Sequence, residues 1–419
     1  MLRIQRLNQF FQLKYLLMKY LFPFLIFCFL VTTSCETDSN YPDPFDNPES
    51  PLMLTGDWFE HPHEIDFKRL PRVPREHIVV SNVTQENGVN QHNYLIHYDG
   101  RFWVMWSDGP GVEDRVGQVV KYATSQDGLN WSEPEFIVSY PEGSGPDSPH
   151  YNTRTEEGLR WISRGFWERE GELLALASLD EAAGFFGPSL ELRAFRWDPD
   201  SETWLDAGQV YDNAINNFPP KRLPTGEWMM SRREYDYSER GVDFLVGGTE
   251  ALDQWESFPV LGSESELAAE EPYWWILPDG KSMMALFRDN RRSGYLYRSF
   301  SVDNGRNWSR PVQTDFPDAR AKFHGLRMSD GRYVLVSNSH PENRNHLTLA
   351  ISDDGMVFDQ MYYLVDRLEE PGMGVDYPHV IEHGGYLYIA HSGGHGGRKQ
   401  SVEVQRVRIS DLDNLKMPE

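Results

Sequence analysis

Six times along this chain an apolar stretch runs into a tight glycine turn and straight out again. The segments are NYLIHYDGRFWVMW, WEREGELLALAS, RLPTGEWMM, WILPDGKSMMALF, LRMSDGRYVLVS and VIEHGGYLYIAH. Their turn glycines are Gly100, Gly171, Gly226, Gly280, Gly331 and Gly385, spaced by 71, 55, 54, 51 and 54 residues. Asp-Gly and Gly-Gly between alternating apolar runs are hairpin signals, because only residues tolerant of positive φ close so short a turn. One hairpin plus room for two more strands every fifty residues or so is the period of a propeller blade. The expected fold is all-β, a single β-propeller over residues 76–414 with four-stranded antiparallel blades. Six blades are counted, and the 71-residue interval, with its loop 141–157, leaves a seventh open. HIVVSNV (77–83) is placed as the outer strand of the last blade, whose own strands end in SVEVQRVRIS, so the two ends of the chain close the ring together.

A second mark follows most of these turns at about thirty residues. It is Ser125-Gln-Asp-Gly-Leu-Asn-Trp131, Ser301-Val-Asp-Asn-Gly-Arg-Asn-Trp308 and Ser352-Asp-Asp-Gly-Met-Val-Phe358, with weaker forms ending at Trp204 and Trp255. An Asp in such a turn caps backbone amides and the aromatic packs beneath the hairpin, so these residues are read as structural.

Composition agrees with a large β-rich core. Of 419 residues, 39% are hydrophobic and 13% aromatic, with 34 Gly and 27 Pro, which excludes global disorder. A net charge of −24 argues against a nucleic-acid partner. Two cysteines supply neither a disulfide framework nor a Cys-rich zinc site.

The N-terminus reads as an export signal. Residues 1–34 carry Arg3, Arg6, Lys14 and Lys19 with no acid, then the apolar run LFPFLIFCFLV, then Thr32-Thr33-Ser34. Eleven apolar residues are too short to span a bilayer comfortably. Cys35 directly after the small residues resembles the lipidated cysteine of a bacterial lipoprotein. The expectation is a lipid anchor at Cys35, an outer-membrane lipoprotein, periplasmic or surface-exposed, and a tether and lead-in over 35–75, rich in Pro, Asp and Asn at 36–53. Losing the four basic residues takes the charge from −24 to −28.

In a propeller the innermost strand of each blade lines one central channel, so polar residues at its entry are candidates for a shared pocket. They are Gln91 and His92 in blade one, His150, Tyr151 and Arg164 in blade two, Arg232 in blade three, Glu271 and Arg288 in blade four, His324 in blade five, and His379 in blade six. Asn216, Asn217, Asn338, His340, Tyr377 and His391 belong to the same ring. Arginines gathered in an acidic chain bind carboxylates in bidentate fashion, which points to an acidic oligo- or polysaccharide. The turn Gly109-Pro-Gly-Val-Glu-Asp-Arg115 is read as self-capped by its acids. There is no metal-ligand motif; no cofactor is expected, and a structural calcium ion is left open. A monomer is expected.

These boxes and hairpins resemble those of the sialidase-like propeller superfamily, whose Asp box reads Ser-x-Asp-x-Gly-x-x-Trp. The stretch Gly88–Pro134 more specifically resembles the propeller polysaccharide lyases (ulvan lyases and rhamnose–glucuronate lyases) and related α-L-rhamnosidases, propellers usually counted as seven-bladed. That resemblance implies elimination, or hydrolysis, at a rhamnose–uronate linkage, with His92 and Tyr151 as base and acid and Arg164, helped by Arg288, neutralising the carboxylate. Sialidases proper use an arginine triad, a Tyr–Glu pair and an Asp acid/base, with an Arg-Ile-Pro motif. Here Lys68-Arg69-Leu70-Pro71 stands too far upstream, Asp114 falls in the acid/base region, and Arg164, Arg232 and Arg288 could imitate the triad. An exo-α-sialidase and a non-catalytic surface glycan-binding lipoprotein are the alternatives.

Overall fold

A computed structural model describes residues 65–82, 88–236, 241–262, 265–367, 374–394 and 401–417. The expected signal sequence, Cys35 and the expected tether up to residue 64 lie outside the described residues.

Among the described residues, twenty-four strands form six antiparallel sheets of four. The first strand, β1 (Glu76–Asn82), waits for the last blade. Blade one is β2 (Gly88–Tyr98), β3 (Arg101–Pro110), β4 (Val119–Ser125) and β5 (Glu135–Val138). Blade two is β6 (Leu159–Arg169), β7 (Glu172–Glu181), β8 (Glu191–Asp198) and β9 (Thr203–Asp212). Blade three is β10 (Lys221–Arg222), β11 (Trp228–Arg232), β12 (Val242–Gly247) and β13 (Trp255–Leu261). Blade four is β14 (Ala269–Ile276), β15 (Met283–Asp289), β16 (Tyr295–Ser301) and β17 (Val312–Pro317). Blade five is β18 (His324–Arg327), β19 (Tyr333–Ser337), β20 (His346–Ser352) and β21 (Gln360–Asp366). Blade six is β22 (Gly374–His383), β23 (Tyr386–Gly394), β24 (Ser401–Arg408) and, as its outermost strand, β1. The fold is therefore a six-bladed propeller. The long interval after Gly100 holds the loop between β5 and β6 and no seventh blade.

Each predicted turn glycine that closes a β-hairpin takes positive φ, as Gly100 (72°) and Gly331 (99°) do. The Asp boxes sit where expected. Asp127 Oδ1 accepts from the amides of Leu129 and Asn130, both at 2.8 Å. Trp308 packs on Phe244, with ring centroids 4.7 Å apart, and donates to the Gly305 carbonyl at 2.8 Å. Between blades the core is aromatic: Trp103, Tyr122, Trp197 and Trp204 meet at 5.0–6.1 Å.

The innermost strands are not regular, and this positions the site. In β2 the register slips between Gln91 and Tyr94, in β6 between Ser163 and Gly165, in β14 between Glu270 and Tyr273, and in β22 between Asp376 and His379. Each slip is a β-bulge, which inserts unpaired residues and re-aims their side chains. Three bulge residues have left-handed backbone: His92 (φ 55°), Glu271 (52°) and Tyr377 (58°). Such conformations cost roughly 1–3 kcal/mol each in a non-glycine residue and persist where the surroundings impose them.

Candidate functional site

The bulges bring His92, Glu271 and Tyr377 from three different blades into one cluster. The His92 and Tyr377 rings lie 4.3 Å apart. The Tyr377 phenol donates to Glu113 Oε1 at 2.8 Å, and His92 Nε2 stands 3.9 Å from the same oxygen. Glu271 accepts from Arg288 Nη1 at 2.5 Å, while Arg288 Nη2 reaches Glu270 at 3.0 Å. Arg344 bonds Asp376, the neighbour of Tyr377, at 3.0 Å. Burial first, then Glu113, Glu271 and Asp376, push the Tyr377 phenol far above its ordinary pKa, against the pull of Arg344. Tyr377 therefore holds its proton at rest. Burial would raise Glu271, but Arg288 and then Lys322 outweigh it and keep the carboxyl below the usual range. The result is a protonated phenol facing two carboxylates, with Arg288 and Arg344 behind.

Beneath this cluster the channel is plugged by packed rings and two buried lysines. Lys322 donates to Tyr94 Oη (2.7 Å) and the Asn217 carbonyl (2.8 Å); Lys221 donates to Tyr273 Oη (3.1 Å) and the Trp274 carbonyl (2.8 Å). Desolvation holds both near a pKa of about 7. His324 and His379 stack at 4.1 Å, and each Nδ1 accepts a backbone amide, from Val380 (3.1 Å) and Leu95 (3.2 Å). That bond requires an unprotonated Nδ1, and burial pulls both imidazoles down, His379 to about 3.

The sequence candidates thus separate. His92, Glu271 and Arg288 come together at the entry, whereas His324 and His379 form the buried plug below. Arg164 is fully buried; its Nε donates to Ser178 at 2.8 Å and its guanidinium lies 5.2 Å from the Phe186 ring. Gln91 is spent on Gln118 between blades one and two. Arg232 bonds Asp243 (2.8 Å), Glu234 (3.1 Å) and the Asn213 carbonyl, so its charge is already matched within blade three. Tyr151 packs edge-on against Tyr140 at 6.2 Å, on the loop before β6, and is not brought to His92 or Arg164. His150 pairs with Glu157 in that loop at 3.2 Å. Asp114 is held by the buried Arg160, itself bonded to Asp180 at 2.9 Å.

Sequence reading missed Glu113, Arg344 and Lys322 and gave Tyr377 no role. The turn 109–115 does not cap itself with Glu113. Arg154, from the loop before β6, donates to the Glu113 carbonyl at 2.9 Å, and Val116 donates to Thr153 at 2.9 Å. The long loop is a brace that holds this turn over the channel. A signal for two of the bulges was present: Glu271-Pro272 and Tyr377-Pro378 put proline inside an inner strand, a place it occupies only at a bulge or an edge. Among the described residues no group of three His, Cys, Asp or Glu side chains could hold a metal ion.

Residues 100–389 match the BNR repeat-like domain. The chain belongs to this BNR repeat-like family. In structure this BNR repeat-like propeller is similar to a protein of unknown function from Dyadobacter fermentans (16% identity, TM-score 0.59, 81% of this chain and 100% of that one). It is also similar to the NanB sialidase of Streptococcus pneumoniae (12%, TM-score 0.61, 81% and 71%) and to Trypanosoma rangeli sialidase with sialic acid bound (11%, TM-score 0.56, 82% and 60%). At these identities the likeness is one of fold. No curated protein matches the sequence.

Proposed function

We propose that the protein is an enzyme acting on an acidic sugar at the mouth of the channel, with Tyr377 as the reacting group. The observation that carries this reading is the Tyr377 phenol hydrogen-bonded to Glu113 in front of Glu271, Arg288 and Arg344. A carboxylate nucleophile would be repelled by a substrate carboxylate. A neutral phenol is not: as its oxygen bonds the anomeric carbon and the glycosidic C–O bond breaks, an adjacent carboxylate takes the phenol proton and the leaving oxygen takes one from water, and a second water then displaces the phenol. The two arginines, each already bonded to acids, supply further N–H donors for a sugar carboxylate. The favoured chemistry is hydrolysis of a terminal acidic sugar. The resemblance to sialidases supports it through a Tyr–Glu pair and two arginines, with His92 beside the tyrosine.

One observation favours elimination at a rhamnose–uronate linkage instead. His92 and Tyr377 stand side by side, two proton carriers as an elimination needs, with Tyr377 in the part first given to Tyr151.

The test offers the purified protein a fluorogenic sialoside, a fluorogenic uronide, arabinogalactan and ulvan. Released fluorophore supports hydrolysis, and ultraviolet absorbance from an unsaturated uronate supports elimination. Tyr377→Phe is expected to lower kcat at least about 100-fold with little change in sugar binding. Wild-type turnover by that variant overturns the assignment; binding of every probe with no product indicates a glycan-binding protein. On sequence alone we also propose lipid attachment at Cys35 and a monomeric, membrane-anchored state.

A further inference from the structure

Beside the Tyr377 cluster, between blades four and five, lies a cavity of about 430 Å³ whose wall carries Arg292, Arg320, Arg344, Asp318, Glu342 and Asn343. Arg344 belongs to both places, since its guanidinium bonds Asp376 next to Tyr377. Among the described residues, the Arg292 and Arg320 side chains make no hydrogen bond or ion pair. The arginines crowd one another: burial, then Arg288, Arg292 and Arg344, lower the affinity of Arg320 for its proton, against the pull of Glu270. Asp318 does not cancel this charge fully at neutral pH, because burial pushes its carboxyl up to about 7. Arg288 and Arg344 already meet Glu270, Glu271 and Asp376, so the charge left unmatched on this wall is that of Arg292 and Arg320, which a bound anion would offset.

We propose that this cavity is a subsite for a second negative group of the glycan, a sulfate ester or a second uronate carboxylate, so that the substrate class is a polyanionic glycan. The proposal rests on the acidic-sugar reading of the Tyr377 site.

The test is isothermal titration of the full chain with inorganic sulfate, with a disaccharide carrying one uronate, and with its sulfated and its two-uronate counterparts. The doubly charged probes are expected to bind at least about tenfold tighter than the singly charged one. The double variant Arg292→Ala/Arg320→Ala should lose that margin and the binding of inorganic sulfate, yet keep its affinity for the single uronate. Arg310→Ala, an exposed control that removes one positive charge away from the cavity, should change nothing. A margin that is absent, that survives the double variant, or that Arg310→Ala also removes overturns the proposal. Whichever doubly charged probe shows the larger margin identifies the group. If the single uronate fails to bind while sulfate binds in an Arg292- and Arg320-dependent way, the reading of the Tyr377 site fails and the anion cavity stands.

Discussion

Lys221 and Lys322 each sit buried among aromatic rings with only neutral hydrogen-bond acceptors. Their folded pKa of about 7 lies below the ordinary value of 10.5. A depressed lysine contributes stability that is fully present above its unfolded pKa and is lost as pH falls through the folded one. Unfolding by denaturant should therefore show stability climbing from pH 7 towards pH 10. Lys322→Met should flatten the climb, and an unchanged slope would sink this account. Asp318 acts in a separate window. Its folded pKa of about 7 exceeds the usual 3.8, so it destabilises progressively as pH rises from 4 to 7, and Asp318→Asn should remove that part of the curve. These residues could not be picked out from sequence, because a lysine in an inner strand, or in the loop that leads into one, reads the same whether it is buried or solvated. Only the ring of blades decides which.

At the level of the element, the hairpins were legible because a two-residue turn needs glycine and the strands on either side need alternation. The boxes were legible because Ser, Asp and Trp each have one job in that turn. Asp303→Ala, which removes acceptor bonds to the Asn307 amide and side chain, should cost on the order of 1 kcal/mol, read as a lowered denaturation midpoint. Catalytic activity should survive it. The site was only half legible, and the bulges are the reason. A regular strand would alternate Gln91 and His92 between faces; the slip in β2 instead turns His92 towards Tyr377 while Gln91 goes to Gln118. Glu113 was unreadable for a different cause. Its position depends on Arg154 and Thr153, some forty residues later in the chain, gripping its turn.

For the molecule as a whole, closure depends on β1 pairing with β24. Behind that pairing lies a buried carboxylate. Glu403 bonds His77 at 2.8 Å, Arg367 at 2.9 Å and Ser401 at 2.7 Å. Burial would raise Glu403, but the His77 bond, His391 and Arg367 hold it well below the usual carboxylate range. Glu403→Gln leaves the arginine without its counter-charge. It should lower stability by about 2 kcal/mol or more and expose residues 65–82 to limited proteolysis before the rest of the chain. Equal proteolytic rates in variant and wild type would rule out a closing role for this network. A Cys35→Ser chain that still incorporates labelled fatty acid would likewise rule out the lipid anchor.

Before β1 begins, the chain runs parallel to the outer strand of blade five. Val73 donates to Tyr363 and Tyr363 donates to Pro71, both at 2.8 Å, and Arg72 pairs with Asp366. Phe67 and Leu70 are buried just upstream. Any tension carried along the chain from ahead of residue 65 is thus met on blade five first. It works like the strain relief on a cable: the clamp takes the tug, and the joint that closes the ring feels it only after the clamp has given way.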